Sequence, residues 1–85
     1  MKPLIKGLLQ PNDYAFVKIG KEIYIGRIAT VKKPRYQPPF TKSRWKFNFF
    51  SLQLINSLDP TKYKVKFGGW YSIDDLLLFG FRMEE

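Results

Sequence analysis

The sequence predicts a mainly β protein: a single small five-stranded barrel with one long basic loop and a short C-terminal helical turn. Three observations carry this expectation. Gly and Pro cut the 85 residues into short pieces, the pieces alternate with a period of two or are rich in β-branched and aromatic residues, and no stretch sustains a helical period. A chain of this size makes one domain, residues 1–85, with the barrel core expected over 14–78.

Each element follows from local chemistry. A lead-in closes at Pro11, Asn12 and Asp13, and Tyr14 to Ile19 forms a first strand with Ala15, Val17 and Ile19 on one face and Tyr14, Phe16 and Lys18 on the other. Gly20 to Glu22 make a tight turn, and Ile23 to Val31 a longer second strand in which Gly26 marks a bulge or sharp bend. Pro34, Pro38 and Pro39 oppose ladder pairing, so Val31 to Ser43 is expected as a long loop stiffened by restricted proline dihedrals. Trp45, Phe47 and Phe49 then alternate until the phase slips to Phe50, Leu52 and Leu54, which predicts a bulge near Phe49 and Phe50. This hydrophobic run would be an aggregation hazard at an edge, so it is expected in the centre of the sheet.

Asn56 to Lys62 carry turn residues, and Tyr63 to Phe67 alternate cleanly, with Lys62, Lys64 and Lys66 opposite Tyr63, Val65 and Phe67. Gly68 and Gly69 turn the chain into a last extended piece, Trp70 to Ile73. Ser72 followed by Asp75 then forms an N-cap pattern for a short helical turn over Ile73 to Leu78, with Leu76 plugging the core.

Composition excludes several functions. Cys and His are both absent, which removes disulfides, thiolate metal clusters and the commonest general base. No phosphate-cradling Gly-rich loop or nucleophile–base pair is present, and the adjacent Asp74 and Asp75 are explained by favourable charge at a helix start. The chain is expected to be non-enzymatic, without catalytic residues, metal or cofactor. The apolar share of 45% is too high for a disordered basic tail, and no apolar run approaches the ~20 residues of a spanning helix. The apolar start MKPLIKGLLQP is interrupted by Lys6 and Gly7, so no signal peptide is expected and the location is expected to be intracellular, cytoplasmic or nucleoid/nuclear, with no membrane partner.

Charge carries the functional expectation. Lys and Arg number 15 against 7 acids, and the two signs are segregated. From Ile23 to Leu58 there is no Asp or Glu, while Arg27, Lys32, Lys33, Arg35, Lys42, Arg44 and Lys46 supply seven positive charges. Segregated charge makes a one-signed field that attracts an anionic partner, beyond the role of Lys and Arg in solubility.

Within Lys32 to Lys46 the six cations are interleaved with Tyr36, Phe40 and Trp45. Lys32, Lys33, Arg35, Tyr36, Lys42, Arg44, Trp45 and Lys46 thus offer point charges and guanidinium forks for phosphates and rings on which a base could stack. The competing role for Trp45 and Phe40 is to fold back over the barrel mouth. Lys62, Lys64 and Lys66 form a second basic face, or else protect an edge strand.

The strand and turn order resembles the small barrels of the Tudor, chromo-barrel and KOW type, grouped as Src-homology-3-like. Ile23-Tyr24-Ile25-Gly26-Arg27-Ile28 resembles the second Tudor strand, and Val65-Lys66-Phe67-Gly68-Gly69-Trp70 followed by Asp75-Leu76 resembles the closing hairpin and terminal turn. Methyl-reading members carry an aromatic where this chain has Ile23 and an acid where it has Gly69, although Tyr24, Trp70 and Tyr71 could supply rings. The resemblance therefore points to the KOW-type members, which bind nucleic acid. The expected partner is a nucleic acid, duplex DNA, single-stranded DNA or RNA, held through its backbone with DNA slightly favoured. The alternative is a regulatory module that docks an acidic protein or peptide.

Overall fold

A computed structural model describes residues 1–34, 36, 37, 41, 42, 44–55 and 69–84, with positions 36, 37, 41 and 42 as backbone. Alternating sequence becomes antiparallel sheet, as expected of a mainly β chain. Strands β1 (Lys2–Ile5), β2 (Tyr14–Ile19), β3 (Glu22–Lys32), β6 (Lys46–Leu54), β7 (Tyr71–Ser72) and β8 (Phe79–Arg82) form one six-stranded sheet in the order β1-β8-β2-β3-β6-β7. Strands β4 (Tyr36–Gln37) and β5 (Thr41–Lys42) form a separate two-stranded ladder. The described sheet is not closed as a barrel, since β1 and β7 are its two edges. One contact curls it: Leu76 bridges Val17, and the Leu77 N–H donates to the Phe16 carbonyl at 2.9 Å, returning the chain onto β2. Among the described residues no helix is long and apolar enough to cross a membrane.

Several expectations change. Residues 2–5, read as lead-in, form β1, because their carbonyls and amides meet β8 in register Lys2↔Arg82 to Ile5↔Phe79. As a short edge carrying Pro3, β1 resists further strand addition. The helical turn is shorter than Ile73 to Leu78. It is a 3₁₀ turn over Ile73–Asp75, capped as expected: the Ser72 hydroxyl accepts from the Asp74 N–H, and the Asp75 carboxylate accepts from the Ser72 N–H at 3.2 Å. The proline-rich excursion is not wholly irregular, since β4 and β5 pair within it. The predicted strand Tyr63 to Phe67 and the basic face Lys62, Lys64 and Lys66 lie outside the described residues.

The core lines the inner face of the sheet. Ala15 and Val17 from β2, Tyr24 and Ile28 from β3, Phe47, Phe49 and Leu52 from β6, and Leu4, Leu9 and Leu76 from the flanking segments are all buried. Their parity matches the alternation in sequence on β2. On β6 it breaks: Phe47 and Phe49 face inward, Phe50 and Ser51 both face solvent, and Leu52 turns in again. The ladder shows why. Gly26 pairs with Leu52 but Ile28 pairs with Phe49, so β6 spends one extra residue there; Thr30 then pairs with Asn48, so β3 returns the extra residue at Ala29.

At Gly26, β6 leaves no room for a side chain on β3. A Cβ at that position would lie 2.5 Å from Leu52 Cδ2, 2.8 Å from Phe49 Cδ1 and 2.8 Å from the Ser51 carbonyl oxygen. Only a residue without a side chain lets β6 close over β3.

The termini are tied by a buried charge. Asp13, 2% exposed, accepts from Arg82 Nε at 2.8 Å and from Arg82 Nη2 at 3.0 Å, and its other contact is the Gln10 N–H at 2.8 Å. Burial raises the Asp13 pKa, but the Arg82 hydrogen bond, the Gln10 N–H and the Arg82 charge together outweigh it and hold the carboxyl below its ordinary value. The same turn extends the β2–β3 ladder: Ile28 N–H donates to the Asp13 carbonyl and Asn12 N–H to the Ile28 carbonyl, each at 2.8 Å.

Two outcomes follow from this packing. Gly26→Ala should lower stability by about 1–3 kcal/mol in urea denaturation, because neither the Ser51 carbonyl nor the two core side chains can retreat without cost. Asp13, with a depressed folded pKa, adds stability that is fully present above the unfolded carboxylate value of about 3.9 and is lost as pH falls through the lower folded value. In Arg82→Met the burial contribution is left opposed only by Gln10, so the acid-side slope of stability against pH should flatten or invert. An unchanged slope would remove the pair as its source.

Candidate functional site

Cross-strand register decides which of the predicted site residues meet. Lys32 ends β3 and Lys46 begins β6, and the two are direct partners in the ladder, with Lys33 exposed immediately beyond. Like charges placed opposite each other in a sheet destabilise it, so this pairing is a cost to the fold. Part of the cost is offset by Trp70, 40% exposed, whose ring centroid lies 4.3 Å from the Lys32 ammonium. Lys46 also pairs with Ser72 of β7, which brings β7 alongside the cationic end of the sheet.

The remaining predicted residues divide. Arg44 is exposed but forms an ion pair with Asp74 of the 3₁₀ turn, so this acid is engaged by the basic segment. Such surface pairs are worth only ~0–1 kcal/mol, which leaves the guanidinium open to competition by a stronger anion. Trp45 is half-buried and packs on the core, and its carbonyl accepts from the Ile73 N–H at 2.9 Å. Trp45 thus contributes packing to the core, and its truncation reads out stability. Tyr36 and Lys42 face each other as backbone partners in the β4–β5 ladder, while Arg35 lies outside the described residues.

Two of the rings considered for a cage also belong to packing. Tyr24 is 1% exposed and its hydroxyl donates to Glu22 at 3.2 Å; Tyr71 is half-buried, edge-on to Phe49 with centroids 5.9 Å apart. Only Trp70 of the three is largely at the surface.

The ladder identifies a wider surface that the loop-centred expectation missed. Outward positions are Tyr14, Phe16 and Lys18 on β2, Ile23, Ile25, Arg27, Thr30 and Lys32 on β3, and Lys46, Asn48, Phe50, Ser51 and Gln53 on β6. Lys18, Arg27, Lys32 and Lys46 are the charged members, and none of these described positions carries a carboxylate. The lysine pair is thus one end of a continuous basic and aromatic sheet face. Arg27 was visible as a cation in the acid-free stretch, but its place beside Phe50 depends on the irregular register.

Comparison with protein-family models, curated proteins and solved structures finds no match to this chain.

Proposed function

We propose that the chain is a non-enzymatic nucleic-acid-binding module that meets the phosphate backbone with the outward basic face of its sheet. The observation that carries this is the direct pairing of Lys32 with Lys46, next to Lys33, on a face whose outward positions hold four cations and no acid. A fold gains nothing from opposing two lysines, whereas a polyanion bridging them converts the repulsion into two favourable contacts. Thr30 and Asn48, paired beside them, add side-chain donors of the kind that fix backbone register. Arg44 joins the surface by exchanging Asp74 for a phosphate. Arg35, Tyr36 and Lys42 belong to the same contact element through the basic segment that joins β3 to β6.

We also infer an Src-homology-3-like barrel of five strands as the parent fold. The passage from β7 through the 3₁₀ turn to the Val17–Leu76 bridge supports it, as does Gly26 at the pinch between β3 and β6. Strands β2, β3, β6, β7 and β8 then supply the five, and β1 is an addition at the edge.

Affinity for an oligonucleotide should fall linearly with salt on a log–log plot, and Lys32→Ala and Lys46→Ala should each reduce the slope by about one unit. Asp74→Asn, which releases Arg44, should raise affinity. A slope near zero, or binding partners in extract that survive nuclease digestion, would favour docking of an acidic protein instead.

A further inference from the structure

Behind the lysine pair, the outward face holds an open groove of about 300 Å³, which Tyr14, Ile25, Arg27, Phe50, Ser51 and Gln53 line. Its size lies at the lower end of small-ligand sites, which span ~300–1,000 Å³. Phe50 is 58% exposed, and the Arg27 guanidinium carbon lies 5.7 Å from its centroid. Tyr14 is held from the other side by Phe81, stacked at 5.0 Å with the rings 10° apart, so it cannot swing into the groove without losing that contact. Phe16 supports Phe81 in turn, with centroids 6.0 Å apart. The groove therefore keeps two rings, one guanidinium and the polar ends of Ser51 and Gln53 around an open space.

We propose that this groove takes one unstacked nucleobase, so that the face binds single-stranded nucleic acid in preference to duplex; this deepens, and rests on, the nucleic-acid function proposed above. The chemistry fits a base better than an aliphatic side chain. A flat π system can stack on Phe50 or Tyr14, Arg27 can stack on it or reach the adjoining phosphate, and Ser51 and Gln53 can meet the polar base edge. Continuity with Lys32 and Lys46 along the same two strands supplies the phosphate contacts on the Arg27 side of the groove, and Lys18, opposite Ile23, supplies a cation on the other. A duplex keeps its bases stacked and paired, so it can use the cations but not the groove.

Fluorescence anisotropy with four labelled strands of equal length tests this: an oligothymidylate, an oligouridylate, a duplex, and a strand of abasic sites. The protein should bind the base-bearing single strands more tightly than the duplex or the abasic strand. Phe50→Ala should weaken the base-bearing strands roughly ten-fold while sparing the abasic strand and the salt slope, and Phe50→Trp should retain binding. Because Phe50 is exposed, its truncation should leave the unfolding midpoint nearly unchanged. Arg27→Gln, a second variant, should lower the salt slope by about one unit. Thymidylate bound more tightly than uridylate, or the reverse, identifies the strand preferred, its sugar and base methyl taken together, and supports the groove either way, provided Phe50→Ala abolishes the advantage over the abasic strand. Equal loss for abasic and base-bearing strands, or no loss for either, overturns the groove while leaving backbone binding intact. Failure to retain any strand in dilute buffer overturns both.

Discussion

The close approach of β3 and β6 at Gly26 is the constraint from which both faces of the sheet follow. With no side chain at Gly26, Leu52 and Phe49 close over β3 and seal the core. The two residues between them must then be accommodated on the solvent side, so Phe50 and Ser51 both turn outward. One irregularity therefore packs the interior and places an exposed ring over Arg27. Had β3 not taken up the extra residue at Ala29, Thr30 would have met Phe47 on the core side and Val31 would have met Lys46 outside. Instead Val31 and Phe47 pair along the core side, and Lys32 meets Lys46 outside.

The remaining scaffold holds that face open. Asp13 and Arg82 join the turn before β2 to the last strand, and Asp13 and Asn12 also exchange backbone hydrogen bonds with Ile28 beside the irregular segment. Phe81, on the strand that carries Arg82, stacks on Tyr14. Folding energy is thus invested in the inner face and the termini, while no described outward position of β2, β3 and β6 carries a carboxylate. A surface that combines like charges in opposition with rings left in solvent contributes little to stability.

Much of this was legible in the sequence. Alternation located β2 and the inward set Ala15, Val17 and Ile19; Gly26 marked the bend; Ser72 and Asp75 marked the capped turn. The phase slip on β6 was visible too, yet the sequence grouped Phe50 with Leu52 and Leu54, whereas Phe50 is exposed. Spacing alone does not tell which side of a bulge receives the extra residue, because that depends on the partner strand and on the space at Gly26. Residues 2–5 were not legible as a strand, since β1 exists through pairing with β8 at the far end of the chain. For the same reason Trp45 and Arg44, plausible contact residues by composition, are partly absorbed by the core and by Asp74. Cation content was readable; which cations face one another was a property of register.

The central claim is that the outward face of β2, β3 and β6 is where a nucleic acid binds, and chemical-shift mapping of the ¹⁵N-labelled protein during titration with a short single-stranded oligonucleotide tests it most directly. The account predicts perturbations concentrated at Arg27, Thr30, Lys32, Lys46, Asn48 and Phe50. Perturbations confined to the β1–β8 edge, or a spectrum that does not move at all, would contradict it.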